Sequence, residues 1–364
     1  MKLNRLWSAI LILAIVQTAF GGIRPSFHLD HSAWKATHIV IAAMTVTDGT
    51  FEVEESLKGD LQVGAQLVIP DLRPLKEAEP IASYLASPKS VLCRPGSLLI
   101  PKQPVGSRVI LFLVGNGTHE PASDGKAEVE EWKPSDLLDS MQASVVWIEG
   151  SDLYAFEQVM NPGLPLLCQL RESETEIRNR VAEIAQLQEK MSVAISFPDG
   201  AERAQQLQPY VNSPIFPVRQ EALEELGKSG PSAIPVISTM IDDPAFASES
   251  PDLIHALADA GGKAAGPELT RRLKRELEFW KSKGPSLRRN WWNENLNGNS
   301  RFRAHNSATY ELIVALEKVR YPAALSTAVE FRKVWRSVPE ADNSSTEDEI
   351  GNECDKLIRA LKPE

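Results

Sequence analysis

This 364-residue chain has few cysteines and histidines, and it has no excess of basic residues. It has three cysteines and six histidines, and its 39 Lys and Arg against 49 Asp and Glu give a net charge of −10. A chain this acidic lacks the basic footprint that general nucleic-acid or anionic-lipid binding needs. Its length predicts two or three domains, each large enough to bury a core of its own.

The three cysteines are Cys93, Cys168 and Cys354, so at most one internal disulfide can form and one thiol is left over. Cys354 falls on the apolar stripe of a predicted C-terminal helix, and we expect it to be a small buried core residue. Cys93 and Cys168 are then the pair that could be bridged, although a chain of this length does not need a covalent staple. The sequence leaves their redox state open.

Motifs of the common catalytic sites are also missing. The chain has no Gly-x-Ser-x-Gly elbow, phosphate-binding loop, dinucleotide fingerprint, His-Glu-x-x-His or paired Cys-x-x-Cys. His28, Asp30 and His31 are metal-ligating residue types, but we expect them in an extended segment, where residues three apart do not converge. The sequence therefore predicts no cofactor, no metal site and no enzymatic activity.

The longest apolar run lies at the N-terminus. It extends from Leu6 to Val16, follows the basic Lys2 and Arg5, and precedes small residues at a spacing that a signal peptidase recognises. A membrane anchor would need about 20 apolar residues. Residues 1–22 therefore predict a signal peptide, export to the periplasm or the extracellular space, and no membrane attachment after cleavage.

Residues 23–170 have the pattern of a β domain, in which short apolar or alternating segments are separated by turn signals. The predicted strands are 38–46, 51–57, 67–69, 108–114, 145–148 and 153–156. Five or six short strands suggest a small closed antiparallel barrel. The stretch 70–105 contains seven prolines, which predicts a long loop without regular structure.

The order of motifs over roughly residues 33–160 resembles the barrels of netrin or tissue-inhibitor-of-metalloproteinase type, a variant of the OB-fold. The motifs are Asp48-Gly49, Val53-x-Glu55-x-Leu57-Lys58-Gly59, Gly64-x-x-Leu67-x-Ile69-Pro70 and Gly106-x-Arg108-Val109-Ile110-Leu111-Phe112-Leu113. In those inhibitors the mature chain begins with a cysteine whose amino group binds a protease metal. This chain has no cysteine before Cys93, so the resemblance implies the barrel but not that kind of inhibition.

The second half has helical periodicity. Apolar residues along 174–195 predict a linking helix within 171–197. The pattern of 222–237, which contains Leu226-Gly227-x-x-Gly230-x-x-Ala233-Ile234-Pro235, returns thirty-one residues later at 253–268, and a weaker third copy begins near Ala315. This unit resembles a HEAT repeat, which implies a short α-solenoid over 198–364. The alternative is helical packing without true repeats.

An insertion at 283–303, between the second and third copies, has the most unusual composition. Basic residues cluster from 271 to 289, and they are followed by tryptophans and by several asparagines. We predict a binding patch for a glycan, a polyanion or an acidic partner, made by Trp280, Arg288, Arg289, Trp291 and Trp292. The alternative is that the tryptophans pin a long loop by burying area, while the basic residues line a solvated helix face.

These patterns predict an exported multidomain β + α protein, with a small OB-like or netrin-like antiparallel barrel before a HEAT-like α-solenoid. Repeat stacks form extended surfaces instead of catalytic pockets, so we expect a non-enzymatic protein that binds a protein partner. The alternative is an envelope enzyme, or a carbohydrate- or polyanion-binding accessory, whose site lies between barrel and solenoid.

Overall fold

The computed structural model describes residues 27–46, 49–69, 105–115, 133–134, 137–138, 141–142, 145–158, 165–284, 300–338 and 349–362. The chain divides into two compact units, Met1–Gln188 and Glu189–Glu364. Among the helices described, none combines the length and the apolar character that crossing a membrane requires. The predicted signal peptide lies outside the described residues, as does the proline-rich loop apart from Val105.

The first unit is built on one antiparallel sheet. Its elements are α1 (Leu29–Lys35), β1 (His38–Val46), β2 (Thr50–Lys58), β3 (Gln66–Val68), β4 (Arg108–Val114), β5 (Lys133–Pro134), β6 (Leu137–Leu138), β7 (Met141–Gln142), β8 (Val145–Glu149), β9 (Asp152–Gln158) and β10 (Pro165–Gln169). Within the described ranges the strands lie in the order β3-β2-β1-β4-β8-β9-β10, with β5 beside β4, while β6 and β7 form a separate ribbon.

The central strands β1 and β4 are covered on both faces. Val40 pairs with Leu111 on one face, and Ile41 pairs with Ile110 on the other. All four side chains are fully buried. A short continuous apolar run is what a strand buried on both faces requires, and the sequence has such runs in both segments. The predicted strands at 38–46 and 108–114 are therefore confirmed.

The sheet does not close into the predicted barrel, so that prediction is wrong. In the part of the chain that the structure describes, β3 and β10 stand at opposite ends of the strand order and do not pair with each other. Closure requires hydrogen bonds between the first and the last strand. The order of apolar and polar residues along a single strand is the same in an open sheet and in a barrel, so it cannot predict whether the sheet closes. The coarser prediction, an antiparallel β domain before an α-helical one, is confirmed.

Five elements of this unit were not predicted from the sequence, namely α1, β5, β6, β7 and β10. β10 pairs with β9, and α1 occupies the segment that we expected to be extended, so that His31 lies in a helix and His28 is its N-cap residue. The ammonium of Lys58 donates hydrogen bonds to the carbonyl oxygens of Ala33, at 2.8 Å, and Ala36. These carbonyls belong to the last turn of α1, which is too short to show a helical period and depends on such tertiary contacts.

The second unit is α-helical. Its helices are α2 (Glu174–Ile195), which begins in the first unit, α3 (Ala201–Val211), α4 (Phe216–Gly227), α5 (Ile234–Asp242), α6 (Ser250–Gly261), α7 (Gly266–Lys283), α8 (Ser300–Val319), α9 (Leu325–Ser337) and α10 (Glu349–Leu361). The predicted helix 174–195 is confirmed. Its first turn is a capping box, because Glu176 accepts a hydrogen bond from the Ser173 backbone N–H at 2.7 Å while the Ser173 hydroxyl accepts one from the Glu176 N–H at 3.3 Å.

Alternate helices of the second unit pack on one another. α4 contacts α6, α6 contacts α8 and α8 contacts α10, while α3 contacts α5 and α7 contacts α9. A 3-10 segment ending in a buried alanine precedes each of α5, α7 and α9, and these alanines are Ala233, Ala265 and Ala324. The segment before α7 has one residue more than the segment before α5.

Candidate functional site

Charge is distributed unevenly over the helices of the second unit. α7 and α9 together have nine Lys and Arg and four Glu, whereas α4 and α6 together have one Arg and five Asp and Glu. The two basic helices contact each other, and so do the two acidic helices. The chain as a whole is acidic, so the helices α7 and α9 stand out from it.

The exposed side chains of α7 and α9 form one basic surface. It consists of Arg271, Lys274, Arg275 and Lys281 on α7 and Lys333 and Arg336 on α9, all exposed to solvent, and we call these six residues the basic face. The Lys281 ammonium joins the two helices by donating a hydrogen bond to Glu330 of α9 at 2.8 Å. That bond lowers the pKa of Glu330, and the charges of Lys333 and Lys274 lower it further, as is expected of groups on a common surface.

Arg272 fixes α7 to α5 beneath the basic face. Its side chain is only 5% exposed, and its two terminal nitrogens donate to the carboxylate of Asp242 at 3.0 and 2.9 Å. One of them also donates to the carbonyl oxygen of Ser238 at 2.9 Å, and Arg275 donates to Asp242 at 2.9 Å. Partial burial acts to raise the pKa of Asp242, but the hydrogen bonds from Arg272 and Arg275 outweigh it and hold this pKa below its usual value.

Trp280, which we predicted as a binding residue, lies in the core under the last turns of α7 and is fully buried. Its indole N–H donates to the Thr309 hydroxyl of α8 at 2.9 Å. The ring meets Trp335 of α9 edge-on, with 4.8 Å between ring centroids. The ring therefore offers no surface to a ligand in this structure, and it joins three helices instead.

The other four predicted binding residues, Arg288, Arg289, Trp291 and Trp292, lie outside the described residues. Their role stays a prediction. The basic residues from 271 to 283 that we grouped with the insertion belong to α7. What the sequence did not indicate is that Lys333 and Arg336 of α9 continue the same surface, although their spacing of three residues is that of one helix face.

A polar network joins the last turns of α7 to the first turns of α8. A single carboxylate oxygen of Glu276 accepts hydrogen bonds from His305 Nδ1 at 2.8 Å and from the Thr309 hydroxyl at 3.4 Å. The Phe279 ring stacks on the His305 imidazole, with 3.5 Å between centroids. The network holds together the two helices that flank residues 285–299.

The acidic helix α6 exposes only a narrow stripe. Asp252 and Asp259 reach solvent, and the half-exposed His255 lies between them. His255 Nε2 is 2.5 Å from a carboxylate oxygen of Glu311 on α8, and Lys318 of α8 forms an ion pair with Asp259. The hydrogen bond with Glu311 raises the pKa of His255 against the opposing effect of partial burial. These charges therefore tie α6 to α8.

One arrangement in the first unit resembles a hydrolase relay of hydroxyl, imidazole and carboxylate. Thr37 Oγ1 lies 3.0 Å from His38 Nδ1, and His38 Nε2 lies 2.9 Å from Asp60 Oδ1. The Thr37 hydroxyl, however, donates to the carbonyl oxygen of Leu113 at 3.2 Å and accepts from the Gly115 N–H at 3.0 Å. These two bonds attach Thr37, which precedes β1, to the end of β4, so the arrangement anchors β1 to β4.

The predicted burial of Cys354 is confirmed, and its thiol donates to the carbonyl oxygen of Ala328 at 3.3 Å. Cys93 lies outside the described residues. The backbone of Cys168 pairs with Ala155 in the sheet, but its side chain is not described, so the disulfide stays a prediction. No group of three or more His, Cys, Asp and Glu suited to a metal ion occurs among the side chains that the structure describes.

Comparisons of the chain with protein-family models, with curated proteins and with solved structures give no match. The basic face, the acidic stripe and the Thr37 arrangement therefore have to be weighed on their geometry. Of the three, the basic face is the largest exposed surface of one charge, and buried contacts support it from below.

Proposed function

We propose that this chain is an exported, non-enzymatic binding protein whose helical region is a short HEAT-like solenoid. The observation that supports this best is the packing of α4 on α6, α6 on α8 and α8 on α10, with 3-10 segments at equivalent places. Helical repeats build extended surfaces by stacking in this way. The proposal of export rests on the composition of residues 1–22.

The partner in this proposal is a protein that docks on the basic face. The face is exposed and opposite in charge to the chain as a whole, and Arg272 and Trp280 fix the helices that carry it. A surface that is already ordered loses little conformational entropy when it binds.

Affinity capture followed by binding measurements with purified proteins tests the proposal. The full chain is compared with Lys274→Glu/Lys333→Glu, and Lys190→Glu/Lys263→Glu makes the same change of charge at exposed positions outside the face. We expect an identified partner to bind the wild type and the control alike, and to bind the first variant at least about tenfold more weakly.

Two results would contradict the proposal. Equal binding of the partner by the Lys274→Glu/Lys333→Glu variant would exclude the basic face as its docking surface. Turnover of a captured molecule by the purified chain, lost in Thr37→Val but kept in Lys274→Glu/Lys333→Glu, would instead favour an enzyme that uses the Thr37, His38 and Asp60 arrangement.

A further inference from the structure

We infer that the basic face binds a short, extended, acidic segment of another protein, and that it does so in preference to a sulfated glycan or another uniform polyanion. This inference rests on the proposed function and names the class of partner. It depends on the dimensions of the face, on the carboxylates within it, and on one exposed apolar side chain.

The dimensions fit a peptide of five or six residues. From Arg271 to Lys281 the stripe on α7 is about 15 Å long at 1.5 Å per residue, and α9 lies beside it at a helix-packing distance of about 10 Å. An extended chain covers this length with about five residues. Side chains that alternate along such a segment can reach both rows, with one set directed at α7 and the other at α9.

Four carboxylates interrupt the positive charge of the face. Asp242 pairs with Arg271 and Arg275, and Glu268 pairs with Arg271. Lys281 donates hydrogen bonds to Glu278 at 2.7 Å and to Glu330 at 2.8 Å, so its charge is matched within the protein. A polyanion with a charge on every unit would bring some of its charges against these carboxylates. An acidic peptide can instead direct its carboxylates to Lys274, Lys333 and Arg336 and place neutral residues opposite the carboxylates of the face, which is how charge patterning selects one partner over another.

Val329 adds an apolar contact to the charged surface. It precedes Glu330 on α9, and it is 48% exposed, one of the few large apolar side chains of the described chain that is. An aliphatic side chain of a peptide can cover it, whereas a sulfated sugar gains little there.

Fluorescence anisotropy with defined probes tests the inference on the full chain. The probes are a labelled eight-residue peptide of alternating glutamate and alanine, its lysine–alanine counterpart, and a heparin octasaccharide. We expect the acidic peptide to bind, the basic peptide not to bind, and the affinity for the acidic peptide to fall with rising salt. Lys274→Glu/Lys333→Glu should weaken it at least about tenfold, and Lys190→Glu/Lys263→Glu should leave it unchanged.

Val329→Ser separates the two classes of ligand. We expect it to weaken the acidic peptide about two- to fivefold and to leave heparin unaffected, because only the peptide has an apolar group to place there. Tighter binding of heparin than of the peptide, unaffected by Val329→Ser, would overturn the inference in favour of a polyanion site.

Failure of the inference can be told apart from failure of the proposed function. If the acidic peptide does not bind but a captured protein is still lost in Lys274→Glu/Lys333→Glu, the class of partner is wrong and the binding function stands. If the peptide does not bind and no captured protein depends on the face, both are wrong. Thermal unfolding of each variant, expected to match the wild type, shows that lost binding is not lost folding.

Discussion

The acidic stripe of α6 and the basic face of α7 and α9 show how one helical framework can present two different surfaces. On α6 the exposed charges are used inside the protein, since His255 and Asp259 pair with Glu311 and Lys318 of the neighbouring helix. On α7 and α9 three cations of the basic face, Arg271, Arg275 and Lys281, pair with carboxylates of the protein, but the two helices together still have nine Lys and Arg against four Glu. Exposed charges that pair within the protein can be explained by their contribution to stability. Cations in excess of the carboxylates on the same helices favour the binding of an acidic ligand.

The two surfaces also differ in what lies beneath them. The buried residues of α6 are small or aliphatic, whereas those of α7 include Arg272 and Trp280, which make hydrogen bonds beneath the basic face. Buried polar groups are costly unless every partner is in place, and they then fix one geometry. If the basic face is a docking surface, replacing Trp280 or Arg272 beneath it should lower the free energy of unfolding strongly, and replacing its exposed cations should change it little.

The largest effect is expected from Trp280→Ala. This change removes a fully buried ring and its hydrogen bond to Thr309, and we expect the free energy of unfolding to fall by about 3–5 kcal/mol. Trp280→Phe keeps most of the ring and should cost less. Urea unfolding measures both. A loss of under about 1 kcal/mol in Trp280→Ala would show that the ring is not a support of α7, α8 and α9.

The next effect is expected from Arg272→Ala, with Arg271→Ala as its neighbour on the same helix. Arg272 is 5% exposed and Arg271 50%, although both interact with Asp242 and Glu268. We expect a loss of about 2–3 kcal/mol for Arg272→Ala, because a buried guanidinium and its hydrogen bonds to Asp242 and Ser238 are removed. We expect a loss of at most about 0.5 kcal/mol for Arg271→Ala, because the ion pairs of Arg271 are exposed to solvent. Equal losses for the two variants would contradict the assignment of Arg272 as a buried structural residue and of Arg271 as a surface residue.

The contribution of the Arg272–Asp242 interaction to the free energy of unfolding should depend on pH, and the pKa of Asp242 gives the sign of that dependence. The pKa of Asp242 is lowered in the folded protein from an ordinary value of 3.8. A lowered carboxyl pKa stabilises the fold above the ordinary value, and that contribution is lost as the pH falls through the folded value. The difference between wild type and Arg272→Ala should therefore be largest above about pH 5 and should shrink as the pH falls below 4.

The sequence predicted those elements that are long and regular in period. The helix at 174–195 has six turns of apolar periodicity and a capping signal at Ser173, and the strand at 108–114 is a continuous apolar run. α3 was missed, because Pro209 lies inside it and proline normally ends a helical pattern. Sequence periodicity therefore predicts a helix or strand correctly where the residues of that element alone determine its structure.

The sequence predicted much less of the candidate site. Trp280 was assigned to a ligand because tryptophan beside arginine is common in binding sites, but its partners Thr309 and Trp335 come from two later helices. The basic face likewise brings Lys274 beside Lys333, fifty-nine residues later. Such neighbours are determined by which helices stack, and that depends on the whole unit.

A smaller, pH-dependent effect is expected at the acidic stripe from His255→Gln. The pKa of His255 is raised from 6.5 by its bond with Glu311 and by Asp252, and is opposed by burial and by Lys318. A raised histidine pKa stabilises the fold below the unfolded value of 6.5, and this is lost as the pH rises through the folded value. Because the side chain is half-exposed, we expect a loss of about 0.5 kcal/mol at pH 5.5 that declines toward pH 9. In contrast, a loss independent of pH would mean that Glu311 binds His255 through neutral hydrogen bonding alone, and Glu311→Gln should abolish the pH dependence.

The smallest effect on stability is expected from Lys274→Glu/Lys333→Glu, the change with the largest expected effect on binding. Both side chains are exposed, so the free energy of unfolding should stay within about 0.5 kcal/mol of the wild type in urea unfolding. Glu224→Lys on α4, which is also at an exposed position, should change the free energy of unfolding as little, and it should leave the affinity for an acidic peptide unchanged because it lies outside the basic face. If reversal of Glu224 changed the affinity as much as Lys274→Glu/Lys333→Glu, the ligand would be responding to the net charge of the chain, and the difference between the two surfaces would carry no information about binding.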